Sequence, residues 1–113
     1  MTIEDVREYC LSFKEVTEGF PFDEDTLVFK VMGKMFALLS LEERRLNLKC
    51  DPEKAVSLRE QYDFVTPGYH MSKIHWNSID INGRVPEKLL KDWIKESYDL
   101  IYNSLPRKIR EQL

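Results

Sequence analysis

The sequence predicts an α+β domain in the order helix, three strands, helix, two strands, helix. Three observations carry the prediction. Apolar side chains recur at spacings of three and four near both ends of the chain, and within residues 26–50 strand spacing runs through 27–32 and 45–50. Glycine-containing and charged turn signals separate the alternating runs. The chain has 113 residues and is 42% apolar, which suits one domain with its own core, residues 1–113.

Thr2 is placed to cap a first helix, with Asp5 three residues on as a variant capping box. Ile3, Val6, Cys10 and Phe13 share one face of that helix, and Glu4, Asp5 and Glu8 load its first turns, where the helix dipole favours anions. Glu18-Gly19-Phe20-Pro21-Phe22 reads as a bend with aromatic anchors, followed by the acidic run Asp23-Glu24-Asp25. From Thr26, Leu27, Phe29 and Val31 alternate with Val28, Lys30 and Met32, which is strand spacing. Met32-Gly33-Lys34 turns the chain, and Met35 to Leu41 return, apolar on both faces, as a strand inside the sheet. After the charged turn Glu42-Glu43-Arg44, Leu46, Leu48 and Cys50 alternate with Arg45, Asn47 and Lys49, completing a three-stranded meander.

Asp51-Pro52 opens a second helix that ends near Tyr62. A short strand is expected at Asp63 to Thr66, broken by Pro67-Gly68, and an extended segment at Ile74 to Ile81, turned by Asn82-Gly83. Pro86 starts the longest helix, with Leu90, Trp93, Ile94, Ser97 and Ile101 on its apolar side and Glu87/Lys91, Lys88/Asp92 and Lys95/Asp99 pairs on its wet side. Pro106 stops it and leaves residues 107–113 as a basic tail.

The net charge of −3 is unevenly distributed. Residues 1–25 hold eight acidic and two basic side chains, whereas residues 26–50 hold five basic and two acidic. Residues 84–113 carry seven basic against five acidic. An isoelectric point near 5.4 disfavours strong non-specific binding to polyphosphate but leaves room for a local cationic patch. The acidic opening and the absence of a membrane-length apolar run point to the cytoplasm, with no membrane partner.

The segment PGYHMSKIHWN, residues 67–77, gathers both histidines, a tryptophan and a tyrosine. Catalysis is not expected there: the nucleophile would be Cys50, which alternates with Leu46 and Leu48 as inert packing, and no hydrolase, P-loop or dinucleotide motif occurs. Cys10 and Cys50 read as reduced thiols. His70 and His75 are five apart, matching neither helix nor strand spacing for two ligands on one face, so no metal and no cofactor are expected. The plainest role for the aromatics is a cover over the second face of the sheet. The alternative is a small-ligand pocket between this loop and the sheet, lined by Tyr69, His70, His75, Trp76 and Asn77.

The stretches EGFPF, DTLVFKVMGKMFALLSL, LNLKCDP and PGYHMSKIHWN, in that order and followed by a long helix, resemble the MmcQ/YjbR-like family of small bacterial proteins over nearly the whole chain. The resemblance implies a two-layer fold with one antiparallel five-stranded sheet, akin to type III secretion chaperones. It also implies non-enzymatic DNA binding through a "double wing", two hairpin tips that straddle a duplex. Transferred to this chain, the wings are the turns around Gly33 and Glu43-Arg44. Lys30, Lys34, Arg44, Arg45 and Lys49 become phosphate contacts, with Asn47 within reach of a base edge. Lys73, Arg107, Lys108 and Arg110 extend the patch. The chain departs from the pattern in carrying Glu42 and Glu43 on the second tip and no basic recognition helix. About five phosphate contacts imply weak, salt-sensitive binding to double-stranded DNA. The likeness to secretion chaperones, with the mixed charge, raises a second expectation: a protein or peptide partner, or a homodimer.

Overall fold

A computed structural model describes residues 1–82 and 84–112. The chain runs α1 (Ile3–Leu11), β1 (Val16–Gly19), β2 (Thr26–Val31), β3 (Lys34–Ser40), β4 (Arg45–Lys49), α2 (Pro52–Gln61), β5 (Val65–Pro67), β6 (Trp76–Asp80), α3 (Glu87–Ser104) and α4 (Arg107–Arg110). One antiparallel sheet holds the strands in the order β1-β2-β3-β4-β6-β5.

The sheet has six strands, where five were expected. The additional strand is β1, which pairs Val16 with Val31 and Glu18 with Phe29. It begins before the expected bend and takes in its first two residues, Glu18 and Gly19. As a four-residue edge strand with Thr17 and Glu18 exposed, it has too few buried positions to show alternation. The short strand begins at Val65 and includes Pro67, which is tolerated because β5 is the opposite edge. The extended segment narrows to Trp76–Asp80, and Gly83 of the expected turn lies outside the described residues. Residues 107–110 form a helix rather than a tail, and Ile109 packs against the core.

Most of the core lies between the sheet and helices α1 and α3. The capping box forms as expected: Thr2 N donates to Asp5 Oδ2 (2.9 Å) and Asp5 N to Thr2 Oγ1 (3.0 Å). Val6 and Cys10 are fully buried on α1. On α3, Leu90, Trp93, Ile94, Ser97, Tyr98 and Ile101 are buried. Ser97 sits among apolar neighbours for a specific reason. A bulge displaces the β2–β3 register at Phe29/Lys30, and the Ser97 hydroxyl donates to Phe36 O (2.6 Å) while accepting from Lys49 N (2.9 Å). It bridges backbone groups of β3 and β4 that would otherwise be buried and unpaired.

The opposite face of the sheet carries a second, smaller cluster, Val28, Leu38 and Trp76, with Met35 and Met71 against it. The chain between β5 and β6 folds over this face. Gly68 is where it crosses: its N–H donates to Trp76 O (2.9 Å), and a Cβ there would lie 2.8 Å from Trp76 Cβ. Only glycine allows the strand and loop to approach so closely.

Candidate functional site

Antiparallel pairing sorts the charges of the sheet by end. Thr26, Ser40, Arg45 and Asp80 are successive cross-strand partners across β2, β3, β4 and β6. This end also holds the Asp23–Asp25 bend and the Glu42–Glu43 turn. Lys34 pairs with Val31 and Lys30 with Met35 at the other end, and Lys49 closes β4 beside Trp76 there. The two hairpin tips expected to act together therefore lie at opposite ends of β3, separated by roughly 20 Å for seven extended residues. One end is lysine-rich and the other acidic.

Between the acidic end and the 68–71 segment lies a groove of about 530 Å³. Its floor is Leu38, Thr26, Ser40 and Asn47, its rim includes Phe22 and four carboxylates, and Tyr69, His70 and Met71 form the facing wall. The wall is held by a buried polar clamp. Tyr69 N donates to Asn47 Oδ1 (3.2 Å) and Ser78 Oγ (3.1 Å), the Ser78 hydroxyl donates to Asn47 Oδ1, and Asn47 Nδ2 donates to Tyr69 O (3.4 Å). Because the clamp grips the main chain, the Tyr69 side chain is left at the surface, the residue 51% exposed. The Arg45 guanidinium lies over that ring, 3.9 Å from its centroid, with Glu43 also at 3.9 Å. The Tyr69 and His70 rings meet edge-on at 4.1 Å.

Internal donors fix two of the four carboxylates of the rim. Asp25 accepts from Ser40 Oγ (2.7 Å) and Glu42 N (2.8 Å), which ties the bend before β2 to the β3–β4 turn. Asp23 accepts from Asp25 N (2.9 Å) and Thr26 N (2.6 Å), and those backbone bonds hold its carboxyl below the usual aspartate value. Phe22, across the groove, is 63% exposed.

The residues expected to line a pocket divide. Tyr69 and His70 line the groove. Trp76 is packed with Val28 and Leu38 beneath the loop. Asn77 faces the helical layer, where its Nδ2 donates to Ala55 O (3.2 Å). His75 is exposed outside the groove, its carbonyl accepting from Cys50 N. Adjacent strand residues point to opposite faces, so Trp76 and Asn77 could not share a cavity. Of the expected phosphate contacts, Lys30, Lys34, Arg44 and Lys49 make no ion pair among the described residues. Arg45 is engaged by Tyr69 and Glu43, Asn47 is consumed by the clamp, and Lys73 Nζ donates to Gly68 O (3.0 Å). Arg107 pairs with Glu111. Phe22, Leu38, Asp25 and Ser40 enter the site only through the sheet register, although Asp23-Glu24-Asp25 stood out as a charge run.

Burial pushes the Cys10 thiol up to about 12, and burial also raises that of Cys50. Both are poor nucleophiles. Among the described residues no three histidine, cysteine or acidic side chains gather as metal ligands, and no helix is long and apolar enough to cross a membrane.

The YjbR family profile matches residues 11–100. This chain belongs to the YjbR family. Two Escherichia coli YjbR relatives, each named an uncharacterized protein, match over most of their length. YbdF of strain O157:H7 is 34% identical across 97% of this chain and 92% of its own. YjbR of strain K12 is 30% identical across 100% and 98%. The crystal structure of Deinococcus radiodurans protein DR2400, a DUF419 domain, superposes with a TM-score of 0.92 at 37% identity, covering 98% of this chain and 86% of that one. A crystal structure of a Pseudomonas syringae protein gives 0.78 at 26% identity, over 89% and 99%. The YjbR fold thus spans nearly all of the chain, groove included.

Proposed function

We propose that this YjbR protein is a non-enzymatic binding protein that takes a small ligand in the groove between the 68–71 segment and the acidic end of the sheet. The observation that carries this reading is the Asn47–Ser78 clamp. It commits two buried polar side chains to holding an exposed aromatic wall beside a concave floor of ligand-pocket size. The two raised thiols and the separated histidines favour binding over chemistry.

The test is ligand-induced thermal stabilisation with a pool of chemically varied fragments, run on wild type and on Tyr69→Ala. The substitution removes one wall of the groove and keeps the main-chain clamp. A fragment binding at about 0.5 mM, present at about 5 mM, stabilises by roughly 1.4 kcal/mol. The expected result is stabilisation of wild type that is largely lost in Tyr69→Ala. No stabilisation by any fragment, or equal stabilisation of both proteins, would overturn the reading.

One observation favours a second reading. Among the described residues Lys30, Lys34 and Lys49 make no ion pair, and they lie at one end of three neighbouring strands, a cationic edge suited to phosphate. It supports contact along one end of the sheet rather than by two wings. Fluorescence anisotropy with a labelled duplex at about 50 mM salt decides it: binding abolished by the triple change of Lys30, Lys34 and Lys49 to Glu favours nucleic acid, and no change with wild type removes it.

A further inference from the structure

We propose that the ligand of the groove is an organic cation: a flat or apolar body bearing an amidinium, guanidinium or ammonium group. This rests on the groove reading above and names the chemistry the groove would select.

Charge is the first argument. The groove is lined by Asp23, Asp25, Glu42 and Glu43, against a single guanidinium, that of Arg45. That guanidinium is already committed to the Tyr69 face and to Glu43. An entering anion would meet four carboxylates and one occupied cation, so the wall repels it. Asp23 and Asp25 are held by internal donors, so their charge is in place before a ligand arrives and needs no rearrangement. A carboxylate offers about four acceptor positions, and the two bonds to Asp25 leave others open.

The aromatics supply the second argument. Phe22 and Tyr69 are among the most exposed large apolar side chains of the protein, and both line this groove. Exposed aromatic rings beside carboxylates are the usual setting for holding a desolvated organic cation. Arg45 provides an internal example, its own cation resting between an aromatic face and a carboxylate. A bare metal ion fits less well, because the carboxylates line the groove without converging as ligands.

Benzamidine, benzamide and benzoate share one shape and differ in charge, so they isolate the inference. Each is titrated into ¹⁵N-labelled protein at about 50 mM salt and again at higher salt, following backbone amide shifts. The expected result is that benzamidine moves the amides of residues 42–45 and 69–70 and binds at least about tenfold more tightly than benzoate. Added salt narrows that gap, as does the double variant Glu42→Gln/Glu43→Gln, in which only exposed carboxylates change. Benzamide or benzoate binding as tightly as benzamidine would overturn the cation inference and leave the groove reading standing. Silence of all three probes, with the fragment pool still stabilising wild type, would overturn it in the same way. Silence in both experiments would remove the groove as well.

Discussion

Replacing Asn47 with alanine tests whether the groove is a built site or an accident of the surface. Asn47 is 8% exposed and holds three polar groups together: it accepts from Tyr69 N and Ser78 Oγ and donates to Tyr69 O. At about 1 kcal/mol per neutral bond, with the 3.4 Å donor contact weighted less, the loss amounts to about 2–3 kcal/mol. For a domain of this size that lowers the melting temperature by roughly 10 °C. In urea the midpoint falls with an unchanged slope, because the surface exposed on unfolding is the same. Ser78→Ala removes two of the clamp's bonds, the one accepted from Tyr69 N and the one donated to Asn47 Oδ1, but leaves Tyr69 N–H its bond to Asn47, and costs about 1–2 kcal/mol. The two changes are subadditive, because both act on Tyr69 N–H and on each other. Amide exchange of Gly68 and Tyr69 accelerates in Asn47→Ala while that of α3 follows only the global loss. A variant within about 0.5 kcal/mol of wild type, with Tyr69 N–H still protected, would refute the clamp.

Other consequences follow from the same packing. Ser97→Ala strands Phe36 O and Lys49 N in the core and costs about 1–3 kcal/mol by urea denaturation; a neutral result would contradict the bridging role. Gly68→Ala sets a Cβ at 2.8 Å from Trp76 Cβ and 2.9 Å from its carbonyl oxygen, and destabilises by about 1–3 kcal/mol, read in the same assay. Hydrogen bonding to Arg7 holds the Glu18 carboxyl below its ordinary 4.5, so the unfolded chain takes up that proton first as pH falls. The stability it contributes is present above about pH 4.5 and is lost on acidification through the lower folded value. Glu18→Gln flattens that part of the pH–stability profile, and an unchanged profile would contradict the pair.

Much of the fold could be read from the chain because burial there is periodic. Helix α1 shows it in Val6 and Cys10, the meander in Leu27, Phe29, Leu46 and Leu48, and α3 in Leu90 through Ile101. Strand β1 could not be read, since an edge strand of four residues buries too little to leave a pattern. The site was legible in part. The 67–77 segment identified itself as a cover, and Tyr69 and His70 as groove residues. The opposite placement of Trp76 and Asn77 was available from strand alternation, as was the placement of successive hairpin tips at opposite ends of a meander. The Arg45–Tyr69 stack was not available. It depends on the β4–β6 register, Asn47 opposite Ser78, which fixes where the loop lands and which no local pattern encodes. Asn47 shows the same limit: the alternation that placed it on the open face gave no sign that the loop would bury it.

Under the proposed function the groove, not the lysine-bearing end of the sheet, is where this protein meets its ligand. Amide shift mapping compares them directly, with one labelled sample titrated by benzamidine and a second by a short DNA duplex. Shifts clustered at residues 42–45 and 69–70 are expected with benzamidine, and weak or no shifts with the duplex. Strong duplex-induced shifts around Lys30, Lys34 and Lys49, with a silent groove, would contradict it.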